Sequence, residues 1–86
     1  MILCRFVGGF RDGATILVPE HGYRFSTVRC IKTRWRLIRD WETLPAGPGM
    51  FIEHIYERQP GTDVATFVES SLLGGLAVRF DPRRLV

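Results

Sequence analysis

Turn-forming residues interrupt this 86-residue chain at short intervals, and they limit what it can fold into more than any other feature. Residues 8–13 read Gly-Gly-Phe-Arg-Asp-Gly. Glycine reaches positive φ at little steric cost, and Asp-Gly is among the strongest hairpin signals. The Pro-Gly pair at 60–61 and the Gly-Gly pair at 74–75 mark later boundaries, and residues 44–49 predict a loop. The chain is therefore expected to consist of short elements, mainly β-strands.

Apolar segments on either side of the first turn predict two strands. Residues 2–7 are apolar apart from Arg5, and residues 14–18 form a second run that Pro19 ends. Together they predict an antiparallel hairpin. Residues 50–58 and 76–80 predict two further strands, of which the first should pair with the strand around Trp35.

Residues 28–39 show strand periodicity. One side of the alternation carries Ile31, Thr33, Trp35 and Leu37. The other side is basic and carries Lys32, Arg34 and Arg36. A helix is the alternative, because positions 28, 31, 35 and 38 also fall at helical spacing, but β-branched and aromatic residues favour a strand.

A helix is predicted over residues 63–73. Thr62 or Asp63 can cap its first turn, and the glycines at 74–75 can end it in the left-handed conformation. Its apolar side would carry Val64, Phe67, Val68 and Leu72. The expected fold is α+β and β-dominated, a small antiparallel sheet of about five strands with this helix packed on it. Residues 1–86 should form a single domain, with residues 81–86 as a frayed tail.

Composition argues against several classes of protein. An apolar share of 45% can fill one small core and does not indicate disorder. No apolar run approaches the roughly 20 residues of a membrane-spanning helix, and residues 1–6 lack the features of a secretion signal. Cys4 and Cys30 are therefore expected to be reduced thiols, packed as small hydrophobic residues in a protein of the cytoplasm.

No residue pattern indicates catalysis or a bound metal. His21, His54 and the two cysteines form none of the close pairs that are typical of zinc sites. Ser70 and Ser71 lie in no nucleophile motif. We therefore expect no metal, no cofactor and no enzymatic activity, and a protein that acts by binding.

Basic and aromatic residues interleave between positions 29 and 41, which suggests a site for nucleic acid or a nucleotide. The basic members are Arg29, Lys32, Arg34, Arg36 and Arg39. Arginine and lysine bind phosphate, and Trp35 or Tyr23 can stack on a base. We nevertheless expect Trp35 and Trp41 to lie in the core or at its edge, because a domain this small needs their buried area.

An ordinary solvated sheet face is the alternative explanation of these charges. The acidic residues that can neutralise them across the sheet are Asp40, Glu42, Glu53 and Glu57. A separate, smaller anion site is conceivable in the loop at residues 8–13, where successive N–H groups can form a nest beside Arg11. This loop lacks the lysine and hydroxyl of a P-loop, and turn geometry alone also explains its glycines.

The opening of the chain resembles that of short uncharacterised proteins from phages and bacteria, which begin with a strand, a Gly-Gly-x-x-Asp-Gly turn and a second strand. Residues 5–13 carry this turn, and residues 23–25, 35–37 and 55–57 are similar to later strands of those proteins. Phe10 stands where they usually carry proline. The resemblance implies a phage or prophage accessory protein with a structural or host-interaction role, which would act in the host cytoplasm if it is phage-encoded.

Two functions follow as hypotheses. The first is a small interaction protein that binds another protein, or itself as an oligomer, through a sheet face or a strand edge. Met50, Phe51 and Leu76 are its expected contact residues, since they offer apolar area that a small monomer covers poorly. The alternative is an anion-binding module for nucleic acid or a nucleotide, which would use the basic residues at 29–39 with Trp35, Tyr23 and Arg11.

Overall fold

The computed structural model describes residues 1–43 and 49–74. They form one sheet of seven strands. The strands are β1 (Ile2–Val7), β2 (Thr15–Val18), β3 (Gly22–Phe25), β4 (Arg29–Arg34), β5 (Leu37–Thr43), β6 (Met50–Arg58) and β7 (Val64–Gly74). A single 3-10 turn, Gly9–Arg11, lies between β1 and β2. Among the described residues, no helix is long and apolar enough to span a membrane.

The strand order is β2-β1-β7-β6-β5-β4-β3. Strands β3 to β7 form an antiparallel meander, and β1 joins β7 in parallel while pairing with β2 as the predicted hairpin. The sheet curls so far that its two edge strands come together. A guanidinium N–H of Arg24 on β3 donates to the carbonyl oxygen of Leu17 on β2 at 2.6 Å. The fold is therefore a nearly closed barrel, an arrangement that leaves little edge exposed.

The prediction of a five-strand sheet with one helix is wrong. Residues 63–73 belong to β7, which pairs with β6 along its whole length and with β1 at its beginning. A shift in register opposite Ile55 and Tyr56 changes the alternation within β7. Because the bulge adds one residue to the strand, the apolar positions of β7 fall at helical spacing although the segment is extended. Pairing with β1 and β6 outweighs the helical preference that this spacing suggests. Thr62, the expected helix cap, instead donates to the carbonyl of Gln59 in the β6–β7 turn.

Residues 28–39 contain parts of two strands and the turn between them. The prediction of strand over helix is therefore confirmed, but the one predicted strand is two strands in the structure. β4 ends at Arg34 and β5 begins at Leu37. Trp35 occupies the turn with 73% of its surface exposed, whereas Trp41 is buried. The expectation that both tryptophans lie in or beside the core is therefore correct only for Trp41. The predicted strand at 50–58 is confirmed as β6, paired with β5.

Two groups of apolar side chains stabilise the sheet. The cluster inside the barrel consists of Cys4, Phe6, Val18, Ile31, Ile38, Tyr56 and Ala65. The second cluster contains Cys30, Trp41 and Phe51, with Tyr23 packed against it. Because neighbouring residues of a strand point to opposite faces, Cys30 lies on the outer face when Ile31 lies inside. The two cysteines are free thiols in different clusters.

Candidate nucleic-acid interface

The outer face of β3, β4 and β5 gathers basic side chains. Lys32 pairs with Tyr23 on one side and with Arg39 on the other, so these three residues share a face. Arg34 lies on the same face, two residues along the strand. Desolvation lowers the pKa of Lys32, and the positive charges of Arg34 and Arg39 lower it further. The repulsion indicates an excess of positive charge on this part of the surface.

Aromatic rings continue this face toward the edge of the sheet. The rings of Tyr23 and Phe25 stack with their centroids 5.5 Å apart and their planes 14° apart. Lys32 places its ammonium nitrogen 5.4 Å from the centroid of the Tyr23 ring. Phe25 leaves 56% of its surface exposed, so one ring of the stack is open to a ligand.

Trp35 lies at the tip of the β4–β5 hairpin in an unfavourable backbone conformation. Its φ is 58°, and it is the one residue other than glycine with positive φ in the described part of the chain. For a bulky residue this conformation costs on the order of 1–3 kcal/mol and persists where the surroundings hold it. Arg58 contributes to that support, since its guanidinium donates to the Trp35 carbonyl at 3.4 Å and its backbone N–H donates to the Arg36 carbonyl at 2.6 Å.

We call these residues the outer strip: Tyr23, Phe25, Lys32, Arg34, Trp35 and Arg39. Its basic members differ in their pairing. Arg39 lies 3.9 Å from Glu53, whereas neither Lys32 nor Arg34 forms an ion pair within residues 1–43 and 49–74. The strip therefore combines two exposed aromatic side chains with cationic groups that are available to an anion.

The other basic residues of the segment do not join the strip. Arg29 lies on the inner face, where it bonds Asp40 and approaches Glu42 at 3.7 Å. Arg36 pairs with Glu57 at 3.2 Å. Each of the four acidic residues considered above thus pairs with an arginine, but Asp40 and Glu42 do so on the inner face and not on a solvated outer one. The structure therefore brings together only some of the basic residues named from the sequence.

The glycine-rich loop does not present an open anion nest. Four of its six N–H groups are already engaged, and two of these bond side chains: Gly8 donates to the Asp12 carboxylate at 2.8 Å and Arg11 donates to the Tyr56 hydroxyl at 2.8 Å. Asp12 and Gly13 donate to backbone carbonyls of the same turn and of β1. The side chain of Arg11 instead turns to Asp40, with 3.4 Å between Arg11 Nε and the carboxylate.

Asp40 anchors an inner polar group that sequence reasoning missed. Its side chain is 2% exposed and bonds both Arg29 and Arg11. The sequence does carry a signal for it: Asp40 follows the core residue Ile38 by two positions, so in a strand both side chains face the interior. The carboxylate also contributes to the raised pKa of Tyr56, although desolvation by burial is the larger cause.

His54 and Ser70 lie beside one another on the inner face, with 2.7 Å between His54 Nδ1 and Ser70 Oγ. The ring of Phe10 stacks on His54 at a centroid distance of 4.9 Å. In the described part of the chain no acid bonds the other ring nitrogen, Nε2, which is buried. The contact therefore lacks the orienting acid of a Ser-His-Asp triad.

The expected protein-contact residues differ in how exposed they are. Phe51 is buried in the second cluster and Met50 is half-buried, while Leu76 lies outside the described residues. Phe51 is therefore not available as a surface anchor in the folded monomer. Residues 1–43 and 49–74 contain no group of three or more His, Cys, Asp or Glu side chains arranged to hold a metal ion.

Comparisons with protein-family models, with curated proteins and with solved structures find no match to this chain. The resemblance to short phage and bacterial proteins stays a prediction.

Proposed function

We propose that the protein binds single-stranded nucleic acid along the outer strip and acts without catalysis. The observation that carries the proposal is Trp35, a large aromatic side chain that is 73% exposed and held at positive φ beside Arg34. Glycine fits the first position of such a two-residue hairpin turn far better. A strained tryptophan that contributes little to the core points to a role at the surface.

The spacing of the strip suits a short stretch of nucleotides. Arg34 and Cys30, which pairs with Phe25, are four residues apart on β4, or about 13 Å at the usual strand rise. Trp35 and Phe25 therefore mark the two ends of a surface with Lys32 between them. Bases that stack on aromatic side chains contribute about 1–3 kcal/mol each, and cationic groups between them bind the phosphates.

The shape of the surface favours a single strand over a duplex. Flat rings on an outer sheet face need the open face of a base, and in a duplex the neighbouring bases cover that face. No described element projects beside the strip as a recognition helix for a major groove, since residues 1–43 and 49–74 form strands, turns and one short 3-10 turn.

Fluorescence titration with an oligothymidylate tests this function. The chain has two tryptophans, and Trp41 is buried, so quenching on binding would report on Trp35. Lys32→Gln should weaken binding and reduce the dependence of log affinity on log salt by about one. Arg5→Gln is the matched control, because it removes the same charge from an exposed position on β1. Absence of quenching, or equal losses in both variants, would count against the outer strip.

Protein binding is a second candidate, supported by an exposed apolar pair elsewhere on the barrel. Leu3 on β1 and Leu17 on β2 lie opposite each other and are 58% and 44% exposed. Self-association through this pair would appear in light scattering as a mass above 9.9 kDa that Leu17→Lys reduces. A monomeric mass at all concentrations would exclude self-association through this pair and leave binding to a different protein to be tested.

A further inference from the structure

A small pocket lies at the seam where the edge strands β2 and β3 meet. Its volume is about 180 Å³. At about 30 Å³ per water molecule this is the room of roughly six waters, and it is well below the roughly 300 Å³ of the smallest drug-sized sites. Arg11, Arg24, Arg29 and Ser26 line it together with the apolar side chains of Ile16 and Ile31. The pocket therefore suits one compact polar group.

The charges around the seam pocket do not cancel. Asp40 binds Arg29 through Nε at 3.2 Å and through a second guanidinium nitrogen, and it binds Arg11 at 3.4 Å. Glu42 lies 3.7 Å from Arg29. Both carboxylates lie outside the lining of the pocket, so among the described residues three arginines and no acidic residue line it.

Donors are also in excess. Each guanidinium carries five N–H groups. Arg24 uses one nitrogen for the Leu17 carbonyl, and Arg11 uses Nε for Asp40. Because Asp40 is itself buried, it fixes Arg11 and Arg29 in place before any ligand arrives. The guanidinium N–H groups that these bonds leave free can donate to the oxygens of a phosphate.

We propose that the seam pocket binds a phosphate monoester group. A phosphate monoester presents three terminal oxygens and up to two negative charges, which three guanidinium groups can share. The same chemistry occurs on a free mononucleotide and at the phosphorylated end of a nucleic-acid strand. Phe25 lines the pocket and also belongs to the outer strip, so a terminal phosphate in the seam would place its strand on that surface. This second source rests on the proposed function, whereas the first does not.

The test compares four probes on the full chain by NMR of the arginine Nε–H groups: adenosine, adenosine 5′-monophosphate, and an oligothymidylate with either a 5′-hydroxyl or a 5′-phosphate. We expect the phosphate-bearing member of each pair to shift the signals of Arg11, Arg24 and Arg29. We expect it to bind at least about tenfold more tightly, the factor that 1.4 kcal/mol represents. Arg24→Gln should abolish this difference, and Arg5→Gln, outside the pocket, should retain it. Arg24→Lys keeps the charge without the planar fork and should retain only part.

The outcomes separate the two proposals. Equal affinity with and without phosphate, or a preference that survives in Arg24→Gln, overturns the seam pocket even if the 5′-hydroxyl strand binds to the outer strip. Binding of the mononucleotide without binding of the 5′-hydroxyl strand supports the pocket and counts against the strip. If Arg24→Gln does not fold, the paired probes on the unmodified protein still decide the question.

Discussion

The two faces of β4 use the same kind of side chain in opposite ways. On the inner face, Arg29 binds the buried carboxylate of Asp40 and has 20% of its side chain exposed. On the outer face, Lys32 lies beside Arg34 and Arg39, and their positive charges repel that of Lys32. On β4 the inward-pointing arginine is thus held by a buried carboxylate, whereas the outward-pointing Lys32 and Arg34 form no ion pair in the described part of the chain.

Loss of the inner carboxylate should have the largest effect. Asp40→Asn would leave Arg11 without its anion and Arg29 with Glu42 at 3.7 Å. Breaking a buried pair costs about 3–5 kcal/mol, and the partial exposure of both arginines places the expected loss at the lower end of that range. Urea unfolding measures this change. Glu57→Gln is the matched control, because its partner Arg36 is 55% exposed and a surface pair contributes about 1 kcal/mol or less. Similar losses of stability in the two variants would mean that the inner ion pairs contribute no more to the fold than an exposed pair does.

Loss of an outer ring should affect binding and spare the fold. Phe25→Ala removes one base platform and should weaken binding of a 5′-hydroxyl oligothymidylate by about 1–3 kcal/mol. Phe10→Ala is the control, since Phe10 is similarly exposed, at 59% against 56%, but stacks on His54 of the inner face. A larger loss of affinity from Phe10→Ala would place the binding surface on the other side of the sheet.

Alkaline pH should cause a smaller loss of stability. Burial raises the pKa of Cys30 from 9.0 to about 11, with a further contribution from Asp40. A folded-state pKa above the unfolded one means that this stability is fully present below pH 9.0 and is lost as the pH rises toward about 11. A pKa shift of this size corresponds to at most about 2–3 kcal/mol of stability. Unfolding at pH 8 to 11 should show a smaller decline in Cys30→Ala than in the unmodified protein, and an equal decline would exclude the thiol as its source.

Local signals in the sequence predict the strands that depend on neighbours in the chain. The hairpin of β1 and β2 follows from the Asp-Gly turn, and β6 has its predicted bounds. Strand β7 was missed because its apolar spacing is helical, and only its pairing with β1 and β6 makes it a strand. The pairing with β1 joins residues about sixty positions apart, and a sequence window of about ten residues cannot detect it.

The site shows the same limit. The interleaved basic and aromatic residues at 29–41 singled out Lys32, Arg34 and Trp35, but the sequence did not show that the β4–β5 turn falls at Trp35 and exposes it. Phe25 and Arg24 were missed because β3 is a short edge strand without a charge pattern of its own. Their importance comes from closure of the barrel, which brings β3 beside β2.

The most direct test of the account is Trp35→Gly, measured for stability and for oligothymidylate binding in the same preparation. Glycine relieves the strain at a φ of 58°, so stability should hold or rise by up to about 1 kcal/mol. Binding, measured by anisotropy of a labelled oligonucleotide, should fall by about tenfold or more, since one stacking partner is lost. A variant that is less stable and binds as tightly as the unmodified protein would contradict the account, because Trp35 would then serve the fold and not the ligand.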